Sequence, residues 1–176
     1  NCIYLKSYTK CIPYIRIGVA IIPDELIDAY NEGISYSYYY SYYMPSLVSQ
    51  ATLESYIKSS LFDKHTLAIS TTVNNKLKLI RKITKKWDWK LIKLIGASSG
   101  YYSTLKLSPK INCNKLIENL RNRNVHIKSN IESFYDSNNF DNSIRISVAR
   151  INKTRLETAL NIIYEEVLNI TKQYHS

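Results

Sequence analysis

Cysteine is scarce in this 176-residue chain: Cys2, Cys11 and Cys113 are odd in number, far apart and never spaced as Cys-x-x-Cys. That pattern offers no disulfide framework and no zinc knuckle, so free thiols in a reducing cytosol are the expectation. The three histidines, His65, His126 and His175, fall in separate expected elements, and none is assigned a metal or catalytic role. Long apolar runs are missing too. None approaches the roughly 20 residues that span a bilayer, and no basic segment leads into an apolar one as in a secretory signal. The expectation is therefore a cytoplasmic protein with no membrane partner. Acidic residues are few beside basic ones, 14 against 24, a formal charge of +10. Many of the bases lie between Lys76 and Lys93, on what reads as one helix and its exit, with only Trp87 and Trp89 as aromatics. A solvated helix face explains that stretch better than a nucleic-acid surface, which interleaves more aromatic side chains.

What is present is enough chain for one domain, or one domain and part of another. The sequence opens at Asn1 and reads as a strand at once. A strand needs neighbours, so the expectation is the C-terminal piece of a longer protein. Strands are expected at 2–8 and 15–22, and Pro23-Asp24-Glu25 suits the first turn of a helix reaching Gly33. Tyr36 to Tyr43 is a low-complexity run of tyrosine and serine with no catalytic pattern. Met44-Pro45-Ser46 opens a helix to about Ser60. A longer one runs from Asp63 to about Lys86, with Ile69, Val73, Leu77, Ile80 and Trp87 at helical spacing. After Trp89 the character becomes α+β. Strands are expected at Leu91–Ile95, Tyr101–Leu107, Val125–Ile127 and Ile144–Val148, with helices at Asn114–Asn122 and Lys153–Gln173, the last N-capped by Asn152. The division that follows is residues 1–60 as the end of one sheet domain, 61–88 as a bridging helix, and 89–176 as a small α+β domain.

Two constellations carry chemistry. In the first, a strand delivers Ser7 and Lys10 three residues apart, a turn containing Pro13 follows, and Arg16 stands just before the second strand. A hydroxyl and a guanidinium fork suit a phosphate dianion, while a lysine beside such a site suits covalent chemistry at a carbonyl. Gly18 is expected to let backbone approach closely in the second strand. A lysine at a strand–turn junction is by itself an ordinary surface residue, and its context singles it out. In the second constellation, alternation along Ile144-Arg145-Ile146-Ser147-Val148 puts Arg145 on the face opposite three apolar residues. There it looks at solvent or at a cleft, where it could hold a carboxylate with two parallel hydrogen bonds.

Taken together and in order, these segments resemble the class I and II aminotransferases of fold type I, which use pyridoxal phosphate (PLP). Residues 3–10 are similar to the PLP-lysine strand, and Pro13-Tyr14-Ile15-Arg16-Ile17-Gly18 to the P-x-x-R-[IL]-G after it. Ser99-Gly100-Tyr101-Tyr102 resembles the opening of the small-domain strand, Val125-His126-Ile127 the strand after its helix, and Asn142 to Ser147 the N-x-[IL]-R-[IL] carboxylate-binding strand. Only six positions separate Lys10 from Arg16, fewer than is usual there, and Tyr14 stands where glycine is common. The resemblance implies an α/β fold: the C-terminal portion of a PLP-dependent transferase, the end of the large-domain sheet plus the small C-terminal α+β domain. It implies Lys10 as the Schiff-base lysine, Ser7, Lys10 and Arg16 as cofactor ligands, Arg145 as the substrate-carboxylate clamp, and no metal. It also implies an amino acid and a 2-oxo acid as substrates, and a homodimer in the full-length protein. The aminotransferase-like domain of MocR/GntR-type transcriptional regulators shares the same motifs. In that branch the chain would sense PLP or an amino compound, and DNA would be bound by a separate N-terminal domain. No residue matches the family's partners for the pyridine nitrogen or the ring, so the chain alone is expected to be inactive.

Overall fold

The structure, a computed structural model, describes residues 2–12, 14–35, 45–133 and 142–173. The Tyr36–Tyr43 run lies outside them. The chain divides into two compact units, Asn1–Ile69 and Ser70–Ser176.

In the first unit, β1 (Tyr4–Ser7) and β2 (Gly18–Ile21) form an antiparallel hairpin. A 3-10 turn, Tyr8–Lys10, follows β1. The strands are shorter than the apolar pattern suggests because this turn interrupts the pairing. Tyr8 N–H still donates to the Ile17 carbonyl at 3.0 Å, but Cys11 and Ile12 N–H both turn back to the Tyr8 carbonyl. Ile15 and Ile17 bury against Leu53 of helix α2 (Leu47–Lys58), with Tyr8 and Ile12 packed on them. Ser46 caps α2, its Oγ accepting from Ser49 N–H at 3.2 Å. Between hairpin and α2, a 3-10 turn at Asp24–Leu26 leads into α1 (Ile27–Ser35). The hairpin's own apolar side chains stay open, Leu5 at 74% exposure.

Helix α3 (Leu61–Thr84) starts in the first unit, and its Val73, Leu77 and Ile80 are buried in the second, as their spacing implies. The second unit is a four-stranded antiparallel sheet ordered β3-β4-β6-β5: β3 (Ile92–Gly96), β4 (Tyr102–Leu107), β5 (Lys128–Ser129) and β6 (Ser143–Ser147). Its inner face presents Ile92, Leu105, Leu107, Ile144 and Ile146, all buried. The apolar stripes of α3, α4 (Cys113–Asn122) and α5 (Lys153–Gln173) supply the matching surface: Leu116 and Leu120, then Leu156, Leu160, Ile163, Val167 and Ile170. Helices α4 and α5 are tied by Arg123, which donates to Glu165 and Glu166 at 2.8 Å each. These two carboxylates, Glu165 foremost, hold its guanidinium pKa above the ordinary value. Trp87 stacks on Tyr164 at 5.1 Å with an interplanar angle of 3°.

One expected element is displaced. Val125–Ile127 is not a strand, and pairing with β6 begins at Lys128. The reason lies in the end of α4. Asn124 adopts φ 60 and Val125 N–H closes the helix onto the Leu120 carbonyl at 2.8 Å, so this residue serves the helix end and not a ladder. Asn152 caps α5 as its position suggests, Oδ1 accepting from Arg155 N–H at 2.8 Å. Among the described residues, no helix is long and apolar enough to cross a membrane.

Two outcomes follow from this packing. Leu160→Ala, at a fully enclosed site, lowers unfolding free energy by about 2–5 kcal/mol in a denaturant titration, whereas Glu157→Ala on the outer side of the same helix stays within about 0.5 kcal/mol. Burial pushes the Cys113 thiol pKa up, with a smaller opposing effect from its hydrogen bond with Ser129. Iodoacetamide at about pH 8 therefore labels exposed Cys2 well before Cys113, as read by peptide mass spectrometry.

Candidate functional site

The hairpin of the first unit gathers three of the four residues singled out by the sequence. Ser7 stands directly opposite Gly18 in the register, so the two share a face. Ile15 and Ile17 are buried while Arg16 between them is exposed, which puts Arg16 on the Gly18 side of the extended segment. Ser7 and Arg16 thus project together from the side turned away from the Ile15–Ile17–Leu53 core. Lys10 ends the 3-10 turn and is exposed. The turn is held by its backbone and by Thr9 Oγ1, which donates to the Ile15 carbonyl at 3.1 Å. Consequently neither the Ser7 hydroxyl, the Lys10 amine nor the Arg16 guanidinium has a hydrogen-bond or ion-pair partner among the described residues. The Ser7 hydroxyl and the Arg16 guanidinium make an anion-seeking pair on the same hairpin that carries the Lys10 amine. That fits a phosphorylated carbonyl compound such as PLP: donors for the phosphate and a nitrogen for the aldehyde.

Two details differ from the sequence reading. A Cβ on Gly18 would meet nothing nearer than the Lys6 carbonyl at 3.7 Å, an ordinary contact, so close approach is not what this glycine provides. Pro13 lies outside the described residues.

Arg145 belongs to the second unit and is described with it. It lies on the outer face of the sheet, opposite Thr104 on β4 and Lys128 on β5. Two cations directly opposite one another on a sheet face repel, so this row favours an anion between or above them. The guanidinium sits over the Tyr102 ring, 5.0 Å from its centroid. Tyr102 pairs with Ser147, which makes it the diagonal neighbour of Arg145 on that face. Arg145, Tyr102 and Lys128 line a cavity of about 650 Å³ with an apolar floor that includes Ile127, Ile146 and Ile163. Val125 and His126, which precede the ladder, line it as well. Gly100, expected to open β4, has φ +79, a backbone state that an L side chain adopts only with strain.

Sequence reasoning did not single out Tyr102 or Lys128. The register that places them beside Arg145 needs the pairing of three strands, and no local pattern states it.

The elements thus assembled, a lysine-bearing hairpin followed by a long helix and a helix-covered four-stranded antiparallel sheet with an outward arginine, have the α/β fold seen in part of the aminotransferases. The multiple substrate aminotransferase (MsAT) of Thermococcus profundus superimposes with a TM-score of 0.80 at 16% identity, over 97% of this chain and 41% of that one. LysN of Thermus thermophilus, an alpha-aminoadipate aminotransferase solved with N-(5'-phosphopyridoxyl)-L-leucine, gives a TM-score of 0.79 at 14% identity, over 97% of this chain and 43% of its own. The family pattern described as Aminotransferase class I and II matches residues 2–163, and the chain belongs to that family. An uncharacterized HTH-type transcriptional regulator, YcxD of Bacillus subtilis (strain 168), is 23% identical over 167 residues, 92% of this chain and 36% of the relative. The chain therefore spans about two fifths of the length of the proteins it matches.

The stacking of Arg145 on Tyr102 has a direct readout. The Arg145 side-chain protons should be moved upfield by the ring current in NMR spectra, and Tyr102→Leu should return them to ordinary positions.

Proposed function

We propose that this chain is the C-terminal part of a PLP-dependent aminotransferase-like protein that moves an amino group between an amino acid and a 2-oxo acid. The observation that carries the reading is the hairpin on which Ser7, Lys10 and Arg16 stand without partners, in a chain of the class I and II family. Residues 1–60 are then the end of the large cofactor-binding domain, 61–88 the interdomain helix and 89–176 the small domain. Ser7 and Arg16 grip the phosphate by charge-assisted hydrogen bonds. Lys10 would hold the cofactor through Nζ at its aldehyde carbon, and the same amine, once released, would carry the proton at the substrate α-carbon. PLP held there would supply the electron sink that loosens bonds at that carbon. Arg145 takes the substrate carboxylate bidentately, its plane held by Tyr102 and its affinity for anions raised by Lys128. Groups for the pyridine nitrogen and ring come from the remaining fold and the second subunit of a homodimer, so the chain by itself turns over no substrate. The protein works in the cytoplasm.

A second reading draws on the Bacillus subtilis relative, an HTH-type regulator matched over nearly all of this chain. Here the same site senses PLP or an amino compound, as the effector domain of a MocR/GntR-type regulator, and DNA is held by an N-terminal domain.

The test is visible absorbance with PLP, before and after borohydride, in a polypeptide spanning the full length of the relatives. A yellow band that borohydride fixes, and that Lys10→Ala abolishes, is the expected result. Arg145→Ala should keep the band and weaken the response to amino acids roughly ten- to a hundredfold, the loss of hydrogen bonds to a charged group. An enzyme converts the band catalytically; a sensor shifts it once. Absence of a band in the wild-type protein removes Lys10 from this role.

A further inference from the structure

A second cationic cavity lies at the start of α5, where Ile151 lines both it and the Arg145 cavity. Lys76 sits on the buried stripe of α3 beside Val73, Leu77 and Ile80, and is itself only 8% exposed. Its Nζ donates to the Val148 carbonyl at 2.8 Å. That is a neutral partner, and among the described residues no carboxylate offsets the charge. A buried ammonium in that state is expensive unless an anion reaches it. Val148 leads into the segment that walls a cavity of about 550 Å³, and Arg150, Asn152 and Lys153 line it with Lys76 and Asn75. Among the described residues, no acidic side chain lines it.

The wall is also the N-terminus of a 21-residue helix. Its first turn holds no acidic residue and instead carries Lys153 and Arg155, cations at the end where the helix dipole disfavours them. Of the first backbone N–H groups, Arg155's is taken by Asn152, and among the residues lining this cavity that of Lys153 is left over. The cavity thus gathers three cations and the backbone N–H of Lys153, with no carboxylate among its described lining residues.

We propose that this cavity is a binding site for a phosphoryl group, as free phosphate or as a phosphate monoester. A doubly charged tetrahedral oxyanion can meet Lys76, Arg150 and Lys153 together, whereas a single carboxylate would leave most of that charge unmatched. The site is built from residues of the second unit and does not depend on the role given to Lys10.

Inorganic phosphate titrated into the ¹⁵N-labelled protein at constant ionic strength tests it. Saturable shifts of the Lys76 and Arg150–Lys153 amides are expected, with methyl phosphate acting likewise if esters enter and phosphate alone if only the ion fits. Acetate and chloride should give at least tenfold weaker effects. Arg150→Glu with Lys153→Glu, both exposed, should weaken the phosphate response at least tenfold, while shifts at the Ser7 and Arg16 amides persist. Lys76→Met, which keeps the aliphatic stem, should do the same. Shifts at 150–153 that never saturate, that chloride reproduces, or that survive Arg150→Glu/Lys153→Glu overturn the proposal.

Discussion

Five residues of β4, Tyr102 to Lys106, face five of β6 in antiparallel register, and the chemistry of the second unit depends on that pairing. Ser103 and Leu105 point inward with Ile144 and Ile146, while Tyr102 and Thr104 point outward with Arg145 and Ser147. A slip of one residue would turn Arg145 into the apolar core and Ile144 and Ile146 into water. Burying each such isoleucine is worth about 1.5–3 kcal/mol, and an unpaired guanidinium in that core would add several more against the slip. Burial of neutral side chains is therefore what aims the cation.

The first unit solves a similar problem with far less burial. Its core is Ile15, Ile17 and Leu53 with flanking Tyr8 and Ile12, and the turn is secured by backbone bonds to the Tyr8 carbonyl. Because the backbone and Thr9 Oγ1 close the turn, the other polar side chains on it are not used up in doing so. This is why Ser7, Lys10 and Arg16 remain available. The charge is also partitioned. Through Ile69 the chain has five basic and six acidic residues, and from Ser70 onward nineteen and eight. The second unit thus carries the whole excess, spread over the Lys128–Arg145 row, the Lys76 cavity and the exposed side of α3.

Much of this was legible locally. The apolar stripe of α5 ends where its spacing ends, and Asn152 and Ser46 cap helices as short polar residues should, since one carboxamide or hydroxyl oxygen satisfies an N–H that the helix cannot. Strand alternation put Arg145 on the right face. The segment at 125–127 misled because its β-branched apolar residues fit a strand equally well, and the demand of the α4 end for Val125 N–H is not written in its composition. The 3-10 turn after Ser7 likewise shortens β1 for a backbone reason that the residue types around it do not display.

The sequence by itself determined the periodicities: which helix faces are apolar, which strand residues alternate, where caps fall, and that Ser7, Lys10 and Arg16 come close together along the chain. Those depend on bonds between near neighbours. Tertiary structure alone decided that Tyr102 lies under Arg145, that Lys128 faces it, and that Lys76 reaches Val148 across 72 positions. Each of these needs two or three distant segments brought into one register, and only the shared burial of their apolar sides selects that register among the alternatives.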